Sequence, residues 1–174
     1  MSCSFKLDIL KKTIKRKAFS TALELNQEFN LDLKKVLFDA IGNDEEFAMR
    51  LIKEHESLSL PLGEANEYNK TLLFLACDLE KLKIAEAILT KGGKKNLFSA
   101  DKEDIRNMLN ARDDNGWTPF LWACIKKRPK VVDLLMKTTR KLYIEDSMLQ
   151  AIDESGKSGC DHFPEHFKTD SDSD

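Results

Sequence analysis

The chain has 174 residues, with 28 Lys+Arg against 30 Asp+Glu, a net charge of −2 and 41% apolar residues. The balanced charge excludes a nucleic-acid binder held by bulk positive potential, and the apolar share excludes a wholly disordered chain. No apolar run exceeds six residues, where a membrane-spanning helix needs about 20, so no integral membrane segment is expected.

Cys3, Cys77, Cys124 and Cys160 form no C-x-x-C pair and read as reduced thiols, which places the chain in the cytoplasm. Residues 1–17 show no apolar signal region and are basic instead: Lys6, Lys11, Lys12, Lys15, Arg16 and Lys17 stand against Asp8. Residues 5–29 are predicted to be helical, with Leu7, Leu10, Ile14, Ala18 and Ala22 at helical spacing. A short helix over 34–41 ends at Gly42-Asn43-Asp44, and Asp44 caps a second helix reaching about His55, apolar at Phe47, Ala48, Leu51 and Ile52. Pro61 and Gly63 mark 57–69 as loop. Two short apolar helices follow over 71–77 and 84–89, stopped by Gly92-Gly93. Ser99 caps a further helix running through Ile105 to Leu109, and Asp113-Asp114-Asn115-Gly116 is a turn. Helices over 118–124, 130–136 and 144–151, a turn at Ser155-Gly156 and a frayed acidic tail over 170–174 complete the chain. Period-two alternation is absent, so the fold class is all-α.

The chain repeats itself. Thr71-Leu72-Leu73-Phe74-Leu75-Ala76-Cys77 lies over Thr118-Pro119-Phe120-Leu121-Trp122-Ala123-Cys124, and 84–89 lies over 131–136 without a gap. Thr118 suits a helix cap, Pro119 a first helical position, and Ala123 a close approach of neighbouring helices. With the turn at 113–116, this segment resembles an ankyrin repeat, whose signature is T-P-L-H-x-A at a period of about 33 residues. The Thr-to-Thr spacing is 47, so 94–109 reads as an insertion, its Ile105, Met108 and Leu109 expected to cover the second helix of the Thr71 repeat. Phe74 and Leu121 replace the family's His, and Glu80 and Lys127 its glycine between paired helices.

The resemblance implies a short α-solenoid of ankyrin-like repeats. A basic helical cap would occupy 1–33, repeats 34–66, 67–93 and 114–140, a partial repeat 155–167, and an acidic tail 168–174. It also implies a protein-binding module, since fingers and concave helix face grip another protein in this family. Carried over position by position, the candidates are Tyr68, Lys70, Glu80, Lys81, Trp117, Lys127, Arg128 and Lys157, with Trp117 as an aromatic anchor between cations. Trp122 stands at a family core position. An acidic or amphipathic peptide suits that row; no nucleic acid, cofactor, metal or enzymatic activity is implied, and a monomer is expected. Lys-rich ankyrin proteins of this size are similar to bacterial effectors delivered into a host cell and to viral decoys of host ankyrin inhibitors. Two other readings stay open. Cys160, His162 and His166 offer three zinc-type ligands within seven residues for a small metal-dependent protein or enzyme, where a structural site needs four, and the basic first helix could touch an anionic membrane. Gly156-Lys157-Ser158 resembles the end of a phosphate loop, but Ala151 stands where that motif needs its first glycine.

Overall fold

The computed structural model describes residues 3–16, 19–55, 58, 60, 62–91, 100–143 and 148–167. These fall into two compact units, Met1–Leu62 and Gly63–Asp174. The boundary expected at 33/34 between cap and repeats lies inside the first.

The first unit contains α1 (Cys3–Lys15), α2 (Phe19–Phe29), α3 (Leu33–Asn43) and α4 (Glu45–Lys53). The helical stretch expected over 5–29 is divided between α1 and α2. One helix of that length would extend about 37 Å with its apolar stripe uncovered; instead α1 packs against α2, burying Leu10, Ile14 and Ala22. α2 stops at Asn30, whose left-handed φ of 50° lets Leu31 N–H reach back to Asn26 O at 3.0 Å. Asp32 then caps α3 through Lys35 N–H. Asp44 closes α3 and opens α4: its N–H donates to Ala40 O at 2.8 Å and its carboxylate accepts from Phe47 N–H. Lys11 Nζ sits 2.6 Å from the same carboxylate and 5.0 Å from the Phe47 ring centre. The α3–α4 pair differs in register from the later ones, because Ala40 stands eight residues after its cap Asp32, whereas Ala76 follows Thr71 by five.

The second unit contains α5 (Leu72–Asp78), α6 (Leu82–Lys91), α7 (Ala100–Asn110), α8 (Pro119–Ile125), α9 (Pro129–Leu142), α10 (Gly159–His162) and α11 (Pro164–Phe167). The first helices α5, α8 and α10 stack in that order, and the second helices α6 and α9 pack on each other. Thr71, Thr118 and Ser158 cap the three first helices, accepting from Phe74, Leu121 and Asp161 N–H at 3.2, 3.2 and 3.3 Å. Each side chain thereby satisfies an N–H that the first turn leaves without a partner. Between the layers lie Phe74, Phe120, Leu121, Ile84, Val131 and Leu135, all fully buried. Trp122 joins this core as expected, its ring edge-on to Phe74 at 6.4 Å.

Both helix pairs turn through a left-handed residue, Glu80 (φ 54°) and Lys127 (φ 52°). Lys81 and Arg128 N–H groups reach the carbonyls of Ala76 and Ala123 at 2.8 Å each, the six-to-one bond of a Schellman ending. A side chain at that φ costs about 1–2 kcal/mol, offset by the carbonyls it satisfies. Among the described residues no strand forms; Ala65–Thr71 and Ile152–Ser158 are isolated bridges.

The inserted helix α7 corrects one expectation. Ile105, Met108 and Leu109 are buried, but α7 packs chiefly against the first helices α5 and α8 rather than α6. Its last turn runs directly into the turn before α8, which carries its apolar end to the first-helix layer. Ser99, Gly92-Gly93, the start of the helix expected over 144–151 and the acidic tail lie outside the described residues.

Close approach at α8 sets the tolerance of this unit. Ala123 is fully buried, and a Cβ on Gly159 would stand 2.4 Å from Phe120 Cε1 and 3.0 Å from Cys124 Sγ. Ala123→Leu and Gly159→Ala should each lower stability by about 1–3 kcal/mol, read as a lower urea midpoint; an unchanged midpoint in both would place α8 outside a close-packed core.

Candidate partner-binding site

The candidate residues occupy two ends of the first helices. Tyr68, Lys70, Trp117 and Lys157 precede α5, α8 and α10; Glu80, Lys81, Lys127 and Arg128 follow α5 and α8.

At the leading end, three five-residue turns repeat one geometry. Asn66, Asp113 and Asp153 open them, and each side-chain oxygen accepts two backbone N–H bonds. Asn66 Oδ1 accepts from Tyr68 and Lys70, Asp113 Oδ1 from Asn115 and Trp117, and Asp153 Oδ1 from Ser155 and Lys157, at 2.8–3.0 Å. The N–H of each opening residue donates to the carbonyl of the fifth, at 2.9, 3.0 and 2.9 Å. The fourth residue is left-handed every time: Asn69 (φ 54°), Gly116 (φ 74°) and Gly156 (φ 78°). Short side chains that mimic a backbone acceptor favour such turns. Asn66 and Asp153 were missed by sequence reasoning, yet each stands five residues before its cap, as Asp113 does. Extending the Thr71/Thr118 alignment backwards finds Asn66, and laying Ser158 over Thr118 finds Asp153.

The fingers are also tied sideways. Asn69 Nδ2 donates to Asp114 Oδ1 at 2.7 Å, and Arg112 donates to Gly116 O and, at 3.0 Å, to Ile152 O. Between the second and third fingers lies a notch of about 400 Å³ lined by Asp114, Asn115, Trp117, Asp153, Glu154 and Ser155. Trp117 is half-buried at its wall, with Lys126 Nζ 5.9 Å from the ring centre.

The expected cation–aromatic–cation row forms only in part. Lys70 lies along α5, over Phe74 at 5.1 Å, and ends 2.7 Å from Asp78 Oδ2. Tyr68 is 58% exposed and Lys157 is exposed. At the trailing end, Arg128 pairs with Glu80, and Lys127 Nζ lies 2.6 Å from Glu165 Oε1. Lys81 is half-buried behind its bond to Ala76 O.

The structure does not bring Cys160, His162 and His166 together. His162 Nε2 lies 2.7 Å from Asp153 Oδ2 and His166 Nε2 3.0 Å from Asp133 Oδ1, with His166 stacked on Phe163. No group of three His, Cys, Asp or Glu side chains that could hold a metal occurs among the described residues. Burial, then Asp161's charge, raises the Cys160 thiol; burial pushes Cys77 and Cys124 up to about 12, far from the thiolate form a ligand or nucleophile needs. The basic first helix also spends charge internally: Lys11 holds Asp44, and Lys6 Nζ reaches Phe29 O at 3.3 Å. No helix among the described residues is long and apolar enough to cross a membrane.

Residues 115–144, which span the tip of the second finger, α8 and α9, match the family model described as ankyrin repeat. No curated protein matches the chain.

The fingers and caps give the chain an acid limit. Hydrogen bonds from Ser155 and from Lys157 N–H hold Asp153 well below the usual carboxylate range; Ser158 does the same for Asp161, and Lys11 and Phe47 N–H for Asp44. A carboxyl whose folded pKa is depressed stabilises the fold above its unfolded value and loses that contribution as pH falls through the folded one. The urea midpoint should therefore fall once pH drops below about 4, and less steeply in Asp153→Asn; the same slope in both proteins would remove Asp153 from the acid response.

Proposed function

We propose that the ankyrin-like solenoid of this chain is a docking platform for a partner protein, with the second and third fingers and the exposed face of the first helices as its contact surface. The observation that carries this reading is the set of three geometrically matching fingers, tied to one another by side-chain bonds, with Trp117 walling the notch between two of them. A surface held this way before binding loses little conformational freedom on association, so more of the contact energy appears as affinity. Ankyrin repeats mediate protein contacts and are typically non-enzymatic scaffolds, and the match at 115–144 covers the tip of the second finger, α8 and α9.

In this reading Trp117 is the anchor. Its backbone is fixed by Asp113 Oδ1 and its ring is half-open to the notch, so a partner side chain entering there meets an aromatic wall with little left to order. Tyr68, Lys70 and Lys157 on the fingers, and Glu80, Lys81, Lys127 and Arg128 at the elbows, frame the same surface. Exposed ion pairs of the kind seen at the elbows contribute about 0–1 kcal/mol to stability, so they can exchange partners at small cost.

Truncating a buried anchor typically costs about 2 kcal/mol or more, roughly thirtyfold in affinity. Trp117→Ala should abolish crosslinked capture of the partner while leaving the thermal midpoint within a few degrees. A variant that melts much earlier would make Trp117 a staple between fingers, and undiminished capture would take the finger notch out of the binding surface.

A further inference from the structure

The start of α9 differs from the other helix starts whose caps are described. α3, α4, α5, α8 and α10 each open on Asp, Thr or Ser with a side-chain cap bond. α9 opens on Arg128 with no side-chain cap, and, like α3, α5 and α8, neither α6 nor α9 has an acidic residue in its first turn. Cations stand there instead. Lys83, Lys126, Lys127, Arg128 and Lys130 are all exposed, and Lys83 and Lys130 occupy equivalent places 47 residues apart. The start of a helix is its positive pole, which favours anions and disfavours lysine and arginine. Arg128 and Lys130 stand at that pole of α9, while Lys126 and Lys127 follow the C-terminal end of α8, and the backbone between is fixed by the Lys127 and Arg128 N–H bonds to Cys124 and Ala123. Lys83 and Lys130 occupy the first turns of α6 and α9, and residues that break a local rule are expected at functional surfaces.

We propose that this cationic elbow, centred on Lys126, Lys127, Arg128 and Lys130 and continued by Lys83, is the contact for an acidic, Asp/Glu-rich segment of the partner protein. It rests on the protein-docking reading above and names the partner's chemistry. The carboxylate preference is written in the pairs already present: Arg128 takes Glu80 and Lys127 takes Glu165, all four side chains 42–60% exposed. Such pairs can be exchanged for a partner's carboxylates without exposing buried surface. The same two glutamates stud the patch with negative charge, which opposes a nucleic acid carrying one phosphate charge per about 1.7 Å of duplex axis. A flexible acidic peptide can step around them.

The test is fluorescence anisotropy of a labelled decaglutamate peptide with the full chain at low salt. The wild type should bind, and Lys83→Glu combined with Lys130→Glu should bind about tenfold more weakly (~1.4 kcal/mol). The double variant should melt no earlier than the wild type, because both changes put an anion at the positive pole of a helix; Lys83→Gln with Lys130→Gln gives an intermediate affinity on an equally stable fold. Equal affinity in the double variant, absence of peptide binding by the wild type, or tighter binding of an oligonucleotide of equal charge would each overturn the proposal. The Trp117→Ala capture is read separately. Capture lost in Trp117→Ala, with no decaglutamate bound, removes the elbow and leaves the finger notch. Capture kept, with decaglutamate bound and lost on charge reversal, removes the notch and leaves the elbow.

Discussion

The solenoid's geometry depends on one recurrent bond pattern: a short side-chain oxygen, from Asn66, Asp113 or Asp153, that takes two backbone N–H groups of a turn four residues long beyond it. Those N–H groups have no helix or sheet to join, and an unpaired backbone donor is costly wherever water is excluded. With the acceptor in place, the turn fixes where the fifth residue leaves the finger, and the next residue is the helix cap. The path of α5, α8 and α10 is thereby set at its first residue, and the three helices enter the stack in one orientation. Packing then follows from residue size. Ala76 and Ala123 let α5 and α8 approach, and Gly159 is the residue that fits where α10 meets the Phe120 ring.

The opposite ends of these helices follow a different logic. Glu80 and Lys127 accept left-handed backbone so that Lys81 and Arg128 can reach the last carbonyls of α5 and α8. The bonds that fix the conformation are backbone to backbone, which leaves both side chains open to carry charge. That freedom is what allows Glu80–Arg128 and Lys127–Glu165 pairs to cross between elements distant in sequence. Fingers are thus built by their side chains, and elbows by their backbone. A surface whose two edges are fixed by different means can carry different chemistry at each, aromatic and acidic at the notch, cationic at the elbow.

The half-repeat over 158–167 is held in place by its side chains. α10 and α11 together span only eight helical residues, too few to bury a face alone. Phe163 is buried, Phe167 meets Phe120 edge-on, and His162 and His166 reach Asp153 and Asp133. The histidines that a metal site would have drawn together go to different carboxylates, His162 to the third finger and His166 to α9, fastening this half-repeat to both.

The sequence by itself determined the helical class, the Thr71/Thr118 register, the caps Asp44 and Thr118 and the core place of Trp122, because each follows from bonds or periodicities confined to a few neighbouring residues. Thr118, Pro119 and Ala123 carry their roles wherever that segment sits. Tertiary structure alone decided the rest. Residues 5–29 became two helices because their apolar stripe needed a partner, and α7 turned to α5 and α8 because its last turn must enter the second finger. Lys70 left the expected cationic row for Asp78, and His162 and His166 parted to different carboxylates. A charged side chain long enough to choose among several partners is not assigned by spacing along the chain; the geometry that brings one carboxylate within 3 Å and leaves the others out of reach exists only after the helices have stacked.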